Sequence, residues 1–217
     1  MQQDLGKAYY DQNYGDYDLQ ASPGKLAFYL SLVRKWVPDG GELFELGVGQ
    51  GRFLQVAAAH YRVAGCDINS FGVDATAAKV AAAHVVPGSY EVLAGRPSVD
   101  AVVAWDVLEH LPDLDAGLIA IREGLAAEGK LIAVVPVYDG PLGWLVRLLD
   151  KDETHVSKQG RRWWSEKLER HGFEVLEIGG ILRKLVANRH YVHLTSPQVL
   201  LRSAGVALYF VAQRRRS

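Results

Sequence analysis

Residues 43–54, LFELGVGQGRFL, run from a short apolar segment through one acidic residue into three glycines spaced two apart, Gly47, Gly49 and Gly51. No other stretch constrains the fold as much. A strand that breaks into closely spaced glycines before a helix turns sharply, brings main-chain N–H groups against a ligand and aims the helix N-terminus at it. That is a nucleotide-type loop. The dinucleotide fingerprint GxGxxG needs its third glycine one residue later, where this chain has Arg52.

The rest of the chain alternates in the manner such a loop requires. Apolar runs GELFEL (41–46) and YRVAGCDI (61–68) alternate with the helical stretches GRFLQVAAAHY (51–61) and VDATAAKVAAA (73–83). VDAVVAWD (99–106) and GKLIAVVPV (129–137) follow, separated by the helix DLDAGLIAIREGLAAEG (113–129), which Gly129 is placed to end. Both runs are apolar without alternation, as strands buried on both faces are. WWSEKLERHGFEVLEIGG (163–180) reads as a helix and strand, and GVALYFVAQ (205–213) as the last strand. Upstream, SPGKLAFYLSLVRKWV starts an outer helix, with Ser22 as N-cap and Pro23 at its first position. The expected fold is α/β: a Rossmann-like, doubly wound, mostly parallel seven-stranded sheet with helices on both faces. Residues 1–217 are read as a single domain, with an N-terminal arm and helix over the active site at 1–40 and a core at 41–180. An insertion at 180–204, read as a broken helix, precedes the last strand.

Composition narrows the function classes. With 217 residues and 49% hydrophobic content, the chain fills one core and not two. A net charge of -1 gives no field to gather nucleic acid, and QRRRS at 213–217 reads as a solvated terminus. The single Cys66 excludes an intrachain disulfide, dithiol chemistry and a multi-cysteine zinc site. No uncharged run approaches the ~20 residues of a bilayer span, and the expected location is cytoplasmic.

With Glu45 two residues before the first glycine, ExGxGxG resembles the first motif of class I S-adenosylmethionine-dependent methyltransferases. The resemblance covers roughly residues 40–180 of the alternating chain. It implies that Glu45 orders the glycine loop near the cofactor's amino acid end. It also implies that Asp67 accepts hydrogen bonds from both ribose hydroxyls and that Ile68 lies on an adenine face. The family's next motif falls at VVPGSYE, where Ser89 stands in place of the aspartate that grips the adenine amino group; Ser89 or Tyr90 offers a hydroxyl instead. AWDVLEHLPD (104–113), with its DxLEH pattern, is similar to the family's fourth-strand motif. DETHVSKQGRRWWSEKLERHGFEV (152–175) is similar to its substrate-side loop, helix and sixth strand.

Methyl transfer from a sulfonium is an in-line displacement, so the protein mainly aligns the acceptor with the methyl group. A hydroxyl acceptor also sheds a proton, which calls for a histidine or for a metal that lowers the acceptor's pKa. His155 is the preferred base and His110 the second candidate, each just beyond a strand's C-terminal end. A hydrogen bond to a loop carbonyl for His155, and packing for His110, are the structural readings that compete. The spacing of Asp106, Glu109 and His110 also resembles the ExxEH by which ubiquinone-biosynthesis O-methyltransferases and small-RNA 2′-O-methyltransferases hold a divalent metal. Aspartate reaches less far than glutamate and the family motif usually occurs without metal, so no divalent metal is expected. Asp106 is assigned to the methionine end of the cofactor or to ordering its loop.

The acceptor is the least legible part. Tyr9, Tyr10, Tyr14 and Tyr17 in the arm, with Trp144, Trp163 and Trp164, supply aromatic surface for a lid or for the core. PLGWLVRLL (141–149) reads as a packed helix, a pocket wall or a peripheral membrane contact. The expected activity is methylation of a small molecule at oxygen, on a metabolite, quinone, lipid or natural-product acceptor, with S-adenosylhomocysteine as product. An RNA 2′-O-methyltransferase is one rival, and a non-catalytic S-adenosylmethionine-binding protein or an oxidoreductase are others. Nothing indicates the oligomeric state.

Overall fold

The structure, a computed structural model, describes residues 21–215 apart from 151, 153, 187–189 and 197–204. Its strands are β1 (Glu42–Leu46), β2 (Arg62–Asp67), β3 (His84–Pro87), β4 (Val99–Trp105), β5 (Leu125–Pro136), β6 (Phe173–Val186), β7 (His190–Ser196) and β8 (Ala207–Arg214). They form one sheet in the order β3-β2-β1-β4-β5-β8-β6-β7. The first five in that order are parallel, and β8 runs antiparallel between β5 and β6. This is the expected mostly parallel seven-stranded sheet with an eighth strand at one edge. Strand order reverses between β1 and β4, the switch point outside which open α/β sheets bind their ligands.

Both faces are covered, which is why the strands are apolar throughout. On one face Phe44, Val102, Leu118, Ile121, Trp164 and Phe210 pack together, drawing in α4 (Leu114–Gly124) and α6 (Arg161–Arg170). On the other, Leu43, Val103 and Ile132 meet Tyr29, Val33 and Leu54 from α1 (Pro23–Trp36) and α2 (Arg52–Ala57). The remaining helices are α3 (Ser70–Lys79) and α5 (Gly143–Leu149).

As expected, Pro23 opens α1 and the Ser22 hydroxyl accepts the Lys25 N–H at 3.4 Å. Tyr29 of α1 stacks on Trp105, with ring centroids 4.1 Å apart, and Phe53 meets the same indole edge-on. This aromatic contact pins α1 beside the carboxyl end of β4.

Two sequence expectations are corrected. Gly129 does not end a helix: α4 stops at Gly124, and Gly129 falls where the pairing of β5 with β4 shifts register between Val99 and Ala101. A Cβ on Gly129 would stand 3.0 Å from the backbone of Ala126, a fit that suits a bulge. The broken helix at 180–204 is replaced over 180–196 by a hairpin, in which β6 continues to Val186 and β7 pairs back from His190. ILRKLV and HYVHLTS are rich in branched and aromatic residues, which favour an edge hairpin. Pro197 and the rest of that segment to 204 lie outside the described residues, as does the tyrosine-rich arm.

Candidate active site

The glycine loop closes β1 onto β2. Gly47, Gly49 and Gly51 all have left-handed backbone, with φ of 78°, 51° and 72°. At Gly47 a Cβ would also stand 2.5 Å from Val107 Cγ2. The N–H groups of Gly47 and Val48 both donate to the Cys66 carbonyl, at 2.8 and 3.1 Å. Thr76 of α3 donates to the Gly49 carbonyl and Lys79 to that of Gln50, so the loop is held from behind.

Asp67 ends β2, buried, where its Oδ2 accepts the Gly49 N–H at 2.8 Å and its Oδ1 the Asn69 N–H at 2.9 Å. Each oxygen keeps a second lone pair, the capacity a vicinal diol needs. Burial raises the Asp67 pKa, and the two backbone bonds work against that rise. Ile68 follows, half-buried. The Gly88 N–H donates to the Asp67 carbonyl, bringing the turn that holds Ser89 and Tyr90 alongside. Ser89 is buried, with its carbonyl near the Cys66 thiol, and Tyr90 packs toward Gly117 of α4. Glu45 lies behind the loop, 3% exposed, with no partner for Oε2. Burial and then the Asp67 charge push its carboxyl well above the usual range.

Beyond β4 the site is assembled from distant segments. Asp106 adopts φ 58°, a conformation aspartate tolerates, and its oxygens accept both Arg183 N–H groups at 2.6 Å. Lys25 Nζ lies 3.8 Å from the same carboxylate. Burial opposes ionisation of Asp106, but Arg183 and Lys25 outweigh it and hold the group at about 2. Burial lowers Lys25 to about 8 against the pull of Asp106.

Glu109 and His110 form a 3₁₀ turn, Leu108–His110, just after Asp106. The Glu109 carbonyl accepts the N–H groups of Val156 and Ser157, both at 3.0 Å, which docks the 154–160 loop onto this turn. His155 thereby meets His110, ring centroids 4.5 Å apart. Thr154 gives its hydroxyl proton to Asp152, so the His110 Nδ1–H must donate to the Thr154 hydroxyl at 2.9 Å and to its carbonyl at 3.2 Å. His155 Nδ1–H donates to Asp150 at 2.9 Å, a carboxylate that also accepts from Tyr138 and pairs with Lys158. Burial opposes the charge on Asp150, but these three partners hold its pKa low. In the neutral form each imidazole therefore carries its lone pair on Nε2. Burial and then His155 lower the pKa of His110. Glu109 is wholly buried, has no hydrogen bond to either carboxylate oxygen, and is raised well above the usual range by burial and then by Asp106.

The structure therefore gathers the expected residues into two groups, Glu45, Asp67 and the loop on one side, Glu109, His110 and His155 on the other. Lys25, Tyr138, Asp150, Thr154 and Arg183 were not foreseen. The acids Asp150 and Asp152 close to His155 were a visible signal; Lys25 and Arg183, 158 residues apart, carried none. Of the tryptophans, Trp164 belongs to the core, whereas Trp144 is 67% exposed on α5.

A glycine crevice at the switch point and an acid ending β2 occur in several nucleotide-binding folds, but a strand such as β8 inserted antiparallel between β5 and β6 marks the class I methyltransferase fold. The chain belongs to the methyltransferase-domain family, which matches residues 20–178, and is a class I S-adenosylmethionine-dependent methyltransferase. Solved structures agree on the fold. A methyltransferase from Thermotoga maritima superposes with a TM-score of 0.72 at 14% identity, covering 96% of this chain and 99% of its own. A methyltransferase complex of Haloferax volcanii with the Trm112 activator gives 0.72 at 18% identity, with 97% and 96% covered. A TehB-like methyltransferase from Corynebacterium glutamicum gives 0.64 at 17% identity, with 97% and 100% covered. No curated protein matches the sequence. Among the described residues no helix is long and apolar enough to cross a membrane.

Proposed function

We propose that the protein methylates a small-molecule acceptor at oxygen, with S-adenosylmethionine as donor. The residues fit that donor: a cradle at Gly47 with no space for a side chain, a diol-binding carboxylate at Asp67 and the orphaned Oε2 of Glu45 beside the loop. When bound, the donor supplies a methyl group already activated on sulfur. Asp67 holds the ribose, Ile68 and the Ser89–Tyr90 turn flank the base, and Glu45 orders the loop.

The observation that carries the choice of oxygen is the His110–His155 pair. Asp150 and Thr154 fix both Nδ1 protons, so the two Nε2 lone pairs are offered at the acceptor edge, where a hydroxyl proton is lost. The acceptor oxygen attacks the methyl carbon as the carbon–sulfur bond breaks, the electron pair stays on sulfur and the proton leaves at this edge. A nitrogen or carbon acceptor has less need of two oriented imidazoles. The Lys25–Arg183–Asp106 cluster carries a net positive charge beside the same edge, which favours an acceptor with an anionic group.

Product formation from a panel of hydroxylated and aminated acceptors tests this reading. Transfer to phenolic or aliphatic hydroxyls, falling steeply in His155→Ala, supports it; equal transfer by that variant, or transfer confined to amines, overturns it.

A further inference from the structure

The acceptor edge also gathers three potential ligand groups, one carboxyl and two imidazoles, whose hydrogen bonding among themselves is incomplete. Neither oxygen of the fully buried Glu109 has a hydrogen-bond partner, and His110 and His155 each use their Nδ1–H on another group. One ligating atom from each of the three residues lies within 4.8 Å of the others. Without a cation the buried Glu109 carboxyl keeps a proton, and an ion at the same place displaces it and satisfies the carboxylate and both imidazoles together.

We propose that Glu109, His110 and His155 bind a divalent first-row transition-metal ion. This rests on the reading of the same edge as the acceptor's oxygen site and deepens it: with an ion bound, the two imidazole lone pairs hold the metal, and acidification of the acceptor hydroxyl by the ion replaces proton uptake by imidazole. The surroundings are those of ligating histidines. Asp150 accepts from the far nitrogen of His155, and Thr154 from that of His110, which locks each tautomer and ring. Asp152 Oδ2, 3.8 Å from His155 Nε2, is a further acid at the rim. Asp106, named with Glu109 and His110 by the DxxEH spacing, is not a ligand, because Arg183 engages both its oxygens. Ligands on one ion at about 2.1 Å stand ~3.0–3.4 Å apart, so the cluster contracts modestly on binding.

Two imidazoles and one carboxylate suit Mn²⁺, Fe²⁺ or Zn²⁺ better than Mg²⁺, which prefers oxygen, and they leave coordination positions open. A hydroxyl of the acceptor takes an open position, loses its proton to solvent more readily there, and attacks the methyl carbon as the carbon–sulfur bond breaks.

The test is titration of chelator-treated full-length protein with Mn²⁺, without methyl donor or acceptor, following the free-ion electron paramagnetic resonance signal. One ion per chain is expected. Asp150→Asn should weaken binding about 10–100-fold, the usual consequence of removing a histidine's outer partner. Glu109→Gln should weaken it more, and Trp144→Ala, on exposed surface, should leave it unchanged; circular dichroism verifies that each variant folds. Absence of stoichiometric binding by the wild-type chain overturns the site, and so does equal binding by Glu109→Gln and Asp150→Asn. The titration is independent of catalysis: ion binding without methylation of any hydroxyl acceptor supports the site and counts against the proposed function alone. Full-rate methylation with no ion bound overturns the site and leaves that function standing.

Discussion

Each half of the crevice buries a glutamate beside the end of a strand, and the two differ in what surrounds them. Glu45 sits behind the glycine loop with Asp67 as its charged neighbour, whereas Glu109 faces two imidazoles whose protons are turned away. The first half is built from one continuous strand–loop–helix and the next strand. The second requires α1, the turn after β4, Asp150, the 154–160 loop and β6. The lesson is that the proposed donor site is local in sequence and the proposed acceptor edge is not.

Breaking the acceptor half should have the largest effect. His155→Ala is expected to lower turnover about 10²–10⁴-fold, the usual share of general acid–base help, with donor affinity intact by calorimetry. Loss of donor affinity as well would mean that the two halves are not separable.

In the donor half, Gly47→Ala adds a Cβ 2.5 Å from Val107 Cγ2 at φ 78°. It should cost about 1–3 kcal/mol of stability, as overpacking does. Gly40→Ala has a similar φ of 85° but nothing within 4 Å, so it should unfold at a higher temperature than Gly47→Ala. Equal melting of the two variants would show that the loop cradle is not tightly packed.

Asp67→Ala should weaken donor binding about 10–100-fold, equivalent to roughly 1–3 kcal/mol of lost hydrogen bonding. Unchanged affinity would remove Asp67 from the ribose and erase the distinction between the halves.

The smallest effect compares the glutamates directly. Glu109 is raised above its ordinary value of 4.5 by burial and the Asp106 charge, so the folded state holds a proton that the unfolded chain releases. Stability contributed by this group is complete below that value and is lost as pH rises toward neutrality. Glu109→Gln should therefore melt higher than wild type at pH 7 in metal-free buffer, by roughly 2–4 °C for about 1 kcal/mol in a domain of this size. The gain should vanish in acid and reverse when Mn²⁺ is added. Differential scanning calorimetry across pH decides it; a Gln variant that melts lower without metal would mean that Glu109 is paired in the native state.

Much of the fold was legible because its signals are short-range. The glycine spacing forced a left-handed loop, continuous apolar runs marked strands covered on both faces, and Ser22–Pro23 marked a helix start. Where reading failed, the competing force was tertiary. Gly129 looked like a helix terminator but sits at a strand irregularity, and 180–196 looked like a damaged helix but pairs as an edge hairpin.

By itself the sequence determined the α/β alternation, the glycine cradle and the acid at the end of β2, since each depends on neighbours within a few residues or on the periodicity of burial. Only the tertiary structure decided which charges share the acceptor edge. Arg183 reaches Asp106 because β6 extends past the sheet's carboxyl edge, and Lys25 reaches it because Tyr29 stacks α1 on Trp105. His155 meets His110 because the Glu109 carbonyl captures two N–H groups of the later loop. Such meetings arise from backbone pairing and core packing across the chain, and no local spacing encodes them.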